Sequence, residues 1–194
     1  MLKKKLSALL TYHNPEHTLD VTAQCLRIAA AEGITDKKTI EELHIASLYH
    51  DTGFIQVYTG HEEVSCALAR QELPGFGVSN DSIENICSII MATKVPQTPL
   101  NHIQQIICDA DLDYLGRSDF FSTAEKLRQE LTAYKMINSE KEWQELQVSF
   151  LKAHHYFTKT SRKERQPVQL QHLQEITENI REKKGNDFYP QSST

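Results

Sequence analysis

The feature that most restricts this chain is how regularly it punctuates itself as helix. Asn14-Pro15 supplies an N-cap and a first-turn proline, and Gly33 supplies a stop. Between them Leu19, Leu26 and Ala29 recur at helical spacing. A second helix is expected from Asp36, carrying Ile40, Leu43, Ala46, Ser47 and Leu48, and ending at Gly53. A third covers 61–73 and is closed by Pro74-Gly75. Ser79 or Asn80 caps a fourth, with Ile83, Ile86, Cys87 and Ile90 on one face, stopping near Thr93. A fifth covers 101–115, with Ile103, Ile106, Ile107, Ala110 and Tyr114 as its stripe. Beyond Gly116, one helix holds Ala124, Leu127 and Leu131. The next opens with the capping box Ser139-Glu140-Lys141-Glu142 and carries Trp143, Leu146, Phe150 and Phe157, and a weaker helix covers 167–183. No stretch alternates with strand period, so the fold class expected is all-α.

At 194 residues the chain suits one compact domain, and no linker or internal repeat divides it. The net charge of −5 argues against binding to a DNA duplex, which needs a basic face. It leaves room for a small phosphorylated substrate, because a metal ion can supply local positive charge. Cys25, Cys66, Cys87 and Cys108 form no C-x-x-C pair and read as small buried hydrophobes in a reducing compartment. The Lys3–Lys5 start resembles a signal-peptide n-region, but 6–10 is too short for the apolar segment that must come next. No stretch is long enough to span a bilayer, and a cytoplasmic protein with no membrane contact is expected.

Three features carry chemistry. They are Tyr12-His13-Asn14-Pro15-Glu16-His17, then His50-Asp51 at the end of an otherwise apolar helix, then Asp109, Asp111 and Asp113 at alternate positions among apolar neighbours. Each alone has an ordinary explanation: a surface histidine, a helix-end salt link, a solvated acidic face. Their order is harder to produce by chance. Imidazole nitrogens and carboxylate oxygens together hold a divalent ion while leaving positions open, and Mn, Fe, Ni, Co, Zn and Mg all suit such a set. The helical stripe of the second helix arrives at Asp51, and a buried carboxylate is costly unless a charge meets it. Projection puts Asp109 about 120° from the centre of its helix's stripe, with Asp111 and Asp113 nearer.

In this order, H…HD…D, the chain resembles the HD superfamily of metal-dependent phosphohydrolases, most strongly at Ser47-Leu48-Tyr49-His50-Asp51-Thr52-Gly53. The resemblance implies an HD-domain helical bundle over 12–117. It leaves 118–184 as a C-terminal helical extension packed on that core and 185–194 as a polar tail. It also implies a divalent metal held by His17, His50, Asp51 and Asp109, the last being selected by the resemblance alone. Metal-dependent hydrolysis of a nucleotide or other small phosphate ester is the activity it implies, with Asp51 bridging metal and water and Asp111 or Asp113 accepting a proton.

The run Tyr12-His13-Asn14 before His17 resembles the cyclic-nucleotide phosphodiesterase branch, where the first histidine protonates the leaving oxygen. That role is implied for His13, the alternative being a loop histidine. Gly60-His61-Glu62-Glu63 resembles HD proteins that carry extra histidines for a second metal, but 91–94 reads Met-Ala-Thr-Lys and lacks the partner histidine. His61 is therefore expected to contact substrate or to cap its helix. Lys94 is expected near the metal, binding a phosphate oxygen and offsetting leaving-group charge, the alternative being an exposed lysine. Arg117 is a candidate for holding phosphate or for reaching back to Asp111 or Asp113. His154 falls on an apolar stripe and reads as a core histidine. Rival readings are a metal-retaining module that senses a nucleotide or binds a partner, and di-iron oxygenase chemistry, against which the residue at Thr93 counts. Assembly as a homodimer is left open.

Overall fold

In the computed structural model, which describes residues 6–187, the chain folds as helices joined by short turns, with no strand among the described residues. The helices are α1 (Pro15–Ala31), α2 (Lys37–Tyr49), α3 (His61–Glu72), α4 (Asn80–Met91), α5 (His102–Asp111), α6 (Phe120–Ala133), α7 (Glu140–Ala153), α8 (Lys159–Glu164) and α9 (Gln166–Asp187). Single 3-10 turns occupy Thr52–Ile55, Leu73–Phe76 and Asp113–Gly116.

The caps read from the sequence hold. The Asn14 side chain accepts from the Glu16 and His17 amides, Ser79 from Ser82 and Ser139 from Glu142. Gly33 takes φ +78°, the left-handed turn that favours glycine, directly after α1. Four boundaries differ. The helix that opens at Glu140 stops at Ala153, so Phe157 lies beyond it, in the loop before α8. The second helix stops at Tyr49 rather than Gly53, because the chain turns at His50-Asp51 into a 3-10 segment. The fifth stops at Asp111 rather than Leu115, where Leu112 leaves helical geometry (φ −107°, ψ 18°). At both breaks a metal-type acid sits at the helix end. The last helix continues to Asp187, past the start expected for a polar tail, and 188–194 lie outside the described residues.

Two apolar cores result. The first gathers Val21, Ile28, Leu43, Ile86, Ile90 and Ile106 from α1 to α5. The second gathers Tyr12, Leu112, Tyr114, Phe120, Trp143, Leu151 and Ile176. Helix α5 and the turn after it belong to both: Ile106 and Ile107 fill the first, Leu112, Tyr114 and Leu115 the second. The 118–184 helices therefore share a core with residues of the N-terminal part, including Tyr12. All four cysteines are buried and free. No helix among the described residues is long and apolar enough to cross a membrane.

A candidate metal centre where three helix ends meet

Four side chains converge at the joint between the two cores. His17 comes from the first turn of α1, His50 and Asp51 from the end of α2, and Asp111 from the last residue of α5. His17 Nε2 lies 3.4 Å from Asp51 Oδ2 and 3.3 Å from Asp111 Oδ1. His50 Nε2 lies 3.2 Å and 3.5 Å from the same two oxygens. The His17 and His50 Nε2 atoms and Asp51 Oδ2 are buried, and none makes a hydrogen bond within the protein. Leaving such atoms unpartnered costs stability unless something outside the chain satisfies them. Separations of 3.2–3.5 Å are those of donors sharing one ion about 2 Å from each. The donor set thus fits a divalent cation.

The surroundings prepare the donors. His50 Nδ1 is 2.8 Å from the Ser47 carbonyl, which can only accept, so Nδ1 carries a proton and the ring is held with Nε2 towards Asp51 and Asp111. Ser65 of α3 donates to the His50 carbonyl (2.7 Å) and accepts from the Gly53 amide (2.8 Å), clamping the turn that carries Asp51. Gly53 is required there: a Cβ would lie 1.9 Å from the His61 carbonyl oxygen. Burial raises the cost of ionising Asp51, but His50, His13 and His17 outweigh it and hold its pKa well below the carboxylate range. Burial likewise opposes charge on His50, yet Asp51 and Asp111 hold its pKa well above the ordinary value. His50, Asp51 and Asp111 are thus stable as a set, and removing one leaves a buried charge without its counterpart.

The expectation for Asp109 is corrected. Its carboxylate is fully buried and points away from the histidines. Oδ1 accepts from the Phe157 amide (2.8 Å), and Oδ2 from the Thr158 amide (2.8 Å) and hydroxyl (2.7 Å). It fastens the α7–α8 loop to α5. Two residues on, about 200° around the helix, Asp111 faces His17 and His50. Asp113 is consumed by arginines: Oδ1 accepts from Arg165 Nε (2.8 Å) and Arg27 Nη2 (3.2 Å).

His13 sits beside the centre, its ring stacked 4.2 Å from Phe54. Its Nδ1 is bonded to Glu130, a residue of α6 that sequence reasoning missed. Glu130 Oε2 also accepts from the Tyr12 (2.8 Å) and His13 (3.0 Å) amides, and Oε1 from the Tyr58 hydroxyl (3.0 Å). Burial opposes charge on His13, but Glu130 prevails and its pKa is raised. Glu130 lies roughly a quarter-turn off the apolar stripe of its helix, so no periodicity marked it. Its burial comes from the distant Tyr12-His13 loop and Tyr58.

His61 stacks on Phe54 (3.9 Å) and directs Nε2 to within 3.5 Å of Asp51 Oδ1, the oxygen whose carboxylate partner faces His17 and His50. Lys94 does not approach the metal donors as expected. Its ammonium pairs with Glu63 at the surface, and it is absent from the cavity wall that includes its neighbours Thr93 and Val95. Arg117 lines a small polar mouth beside His17 and Asp111, but it is already held by Asp20 (2.8 Å) and Asp119 (2.9 Å), with Asp113 at 3.6 Å. Its expected reach towards Asp113 is met, while a phosphate would have to displace carboxylates. His154 is half-buried at the end of α7.

The HD domain family model matches residues 15–113, about half of the chain and all of the segment bearing His17, His50, Asp51 and Asp111. The chain belongs to the HD domain family. This family is a superfamily of metal-dependent phosphohydrolases. No curated protein and no solved structure matches the chain. The match ends at Asp113, so Glu130, and with it the seating of His13, comes from outside the HD segment.

Proposed function

We propose that this HD-domain protein hydrolyses small phosphate esters, using one divalent metal ion held by His17, His50, Asp51 and Asp111. The observation that carries this is the set of buried, unpartnered donor atoms on His17, His50 and Asp51, facing one another at the ends of α1 and α2. When bound, the ion supplies Lewis acidity towards a phosphoryl oxygen and lowers the pKa of a water.

The chain's own groups do the rest. Asp51 has one oxygen among the metal donors and the other towards His61, so it can orient a water between them. His13, kept protonated by Glu130, donates its proton to the departing oxygen. His61, fixed by Phe54 and by the Tyr58 carbonyl, borders the space a substrate would fill. Glu130 is a positioning residue, acting through His13.

The test is hydrolysis of a generic phosphomonoester, a generic phosphodiester and a nucleotide panel with Mn, Ni, Co, Mg or Zn. Metal-dependent turnover lost in both His50→Ala and Asp51→Ala is expected, and no turnover with any metal would overturn the reading. Glu130→Gln is expected to lower kcat about 10- to 100-fold with little change in KM, and to move the alkaline limb of the pH profile down as His13 loses its anion.

A further inference from the structure

A cavity of about 520 Å³ opens directly from the metal centre. Its inner end is Asp51, Asp111, His13 and His61. Most of its remaining wall is apolar, and much of that comes from α6, α7 and the turn between them: Leu127, Leu131, Met136, Trp143, Leu146 and Phe150. The volume is that of a pocket for an organic molecule of drug size. Leu146 and Met136, 43% and 57% exposed, stand where the wall meets solvent. No lysine or arginine lines the cavity among the described residues, and its charged groups other than histidine are Asp51, Glu62 and Asp111, all acidic. Arg117 and Lys126 line the separate polar mouth on the His17 side.

A molecule filling this cavity has one end at the metal donors and its bulk against hydrocarbon. A chain of phosphates laid along it would meet carboxylates at the inner end and, among the described residues, no lysine or arginine beyond. We propose that the cavity takes the organic part of the substrate and that this part is apolar, so that the substrate is an alkyl or aryl ester of a single phosphate and not a nucleoside polyphosphate. The assignment rests on the phosphohydrolase reading above and narrows it. In the reaction, water's oxygen forms the new bond to phosphorus and the bond to the organic oxygen breaks. That oxygen leaves as an alcohol with a proton from His13, and the proton given up by the water restores His13.

Trp143 is the chain's one tryptophan and forms part of the wall, so its emission reports occupancy without any metal or turnover. Metal-free protein is titrated with 1-butanol, 1-hexanol and 1-octanol. Saturable changes in Trp143 emission are expected, with Kd tightening about threefold to fourfold per added methylene. The double variant Leu146→Gln, Met136→Gln alters exposed positions and is expected to keep the circular dichroism spectrum. It should weaken 1-octanol at least about fivefold and leave 1-butanol within about twofold. With metal restored, kcat/KM is expected to rise from ethyl through butyl to hexyl phosphate and to exceed that for adenosine triphosphate. Alcohol affinities independent of chain length, or a faster reaction with the triphosphate, would overturn the proposal. Alkyl phosphate hydrolysis insensitive to chain length would leave the phosphohydrolase reading standing and overturn this one. Chain-length-dependent alcohol binding with no hydrolysis under any metal would overturn the phosphohydrolase reading and the substrate with it.

Discussion

Asp109 and Asp111 are two residues apart, both buried in large part, and chemically identical, yet they do different work. Asp109 accepts three hydrogen bonds from the Phe157–Thr158 segment, and Asp111 faces two histidines. Asp109→Asn sets an amide NH2 against backbone N–H donors. It is expected to cost about 2–4 kcal/mol in urea denaturation, with metal stoichiometry retained in the folded fraction. Asp111→Asn is expected to do the reverse, weakening metal binding by isothermal titration more than it lowers stability. The HD-type order in the sequence was enough to find His17, His50 and Asp51. Among the acids the resemblance chose Asp109 where projection of the stripe had put Asp111 and Asp113 nearer, and the outcome depends on which face of α5 the distant 157–158 loop covers. His154 gives a second residue-scale prediction. Burial lowers its pKa from 6.5 to about 4, so the folded state resists its protonation. Stability from this residue is whole above pH 6.5, falls as pH drops from 6.5 towards 4 and levels off below, a loss of up to about 3 kcal/mol. His154→Phe should make the stability profile over that interval markedly shallower.

At the scale of elements, the site is built from helix ends. Helices α2 and α5 both stop sooner than their apolar periodicity implied, and each stop presents an acid. Periodicity reports which face is buried, but a break of two residues leaves the pattern almost intact, so the ends were overrun while the helices themselves were found. The turn after α2 works because Gly53 lets it press against the start of α3. Gly53→Ala would push a methyl group into the His61 carbonyl, and the turn must move. Destabilisation of more than about 2 kcal/mol is expected in denaturant titration, together with a loss of metal affinity out of proportion to the loss of fold, since Asp51 and His61 flank the strained contact. The stripe Trp143, Leu146 and Phe150 shows the opposite limit. Its residues are apolar at helical spacing, which reads as core, whereas all three border an open cavity. A wall that awaits a ligand and a wall that awaits another helix have the same composition.

At the scale of the whole molecule, the segment matched by the HD family is not separable from the helices C-terminal to it. Tyr12, Leu112, Tyr114 and Leu115 share their core with residues of α6, α7 and α9, Asp109 accepts from the Phe157–Thr158 segment, and Gly116 packs against the Arg165 backbone. A fragment of residues 1–117 is expected to lack cooperative thermal unfolding and dispersed amide NMR signals, while the full chain unfolds in one transition by both far-ultraviolet and Trp143 signals. Sequence reading anticipated an all-helical bundle with further helices packed on it, but had no means of seeing that the extension supplies Glu130. The bonds from the His13 and Tyr12 amides to Glu130 span 117 and 118 residues. During synthesis His13 leaves the ribosome well over a hundred residues before the carboxylate that seats it. A nascent chain can therefore display His17, His50, Asp51 and Asp111 while His13 is still unseated, so that the proton transfer proposed for it waits on the synthesis of α6.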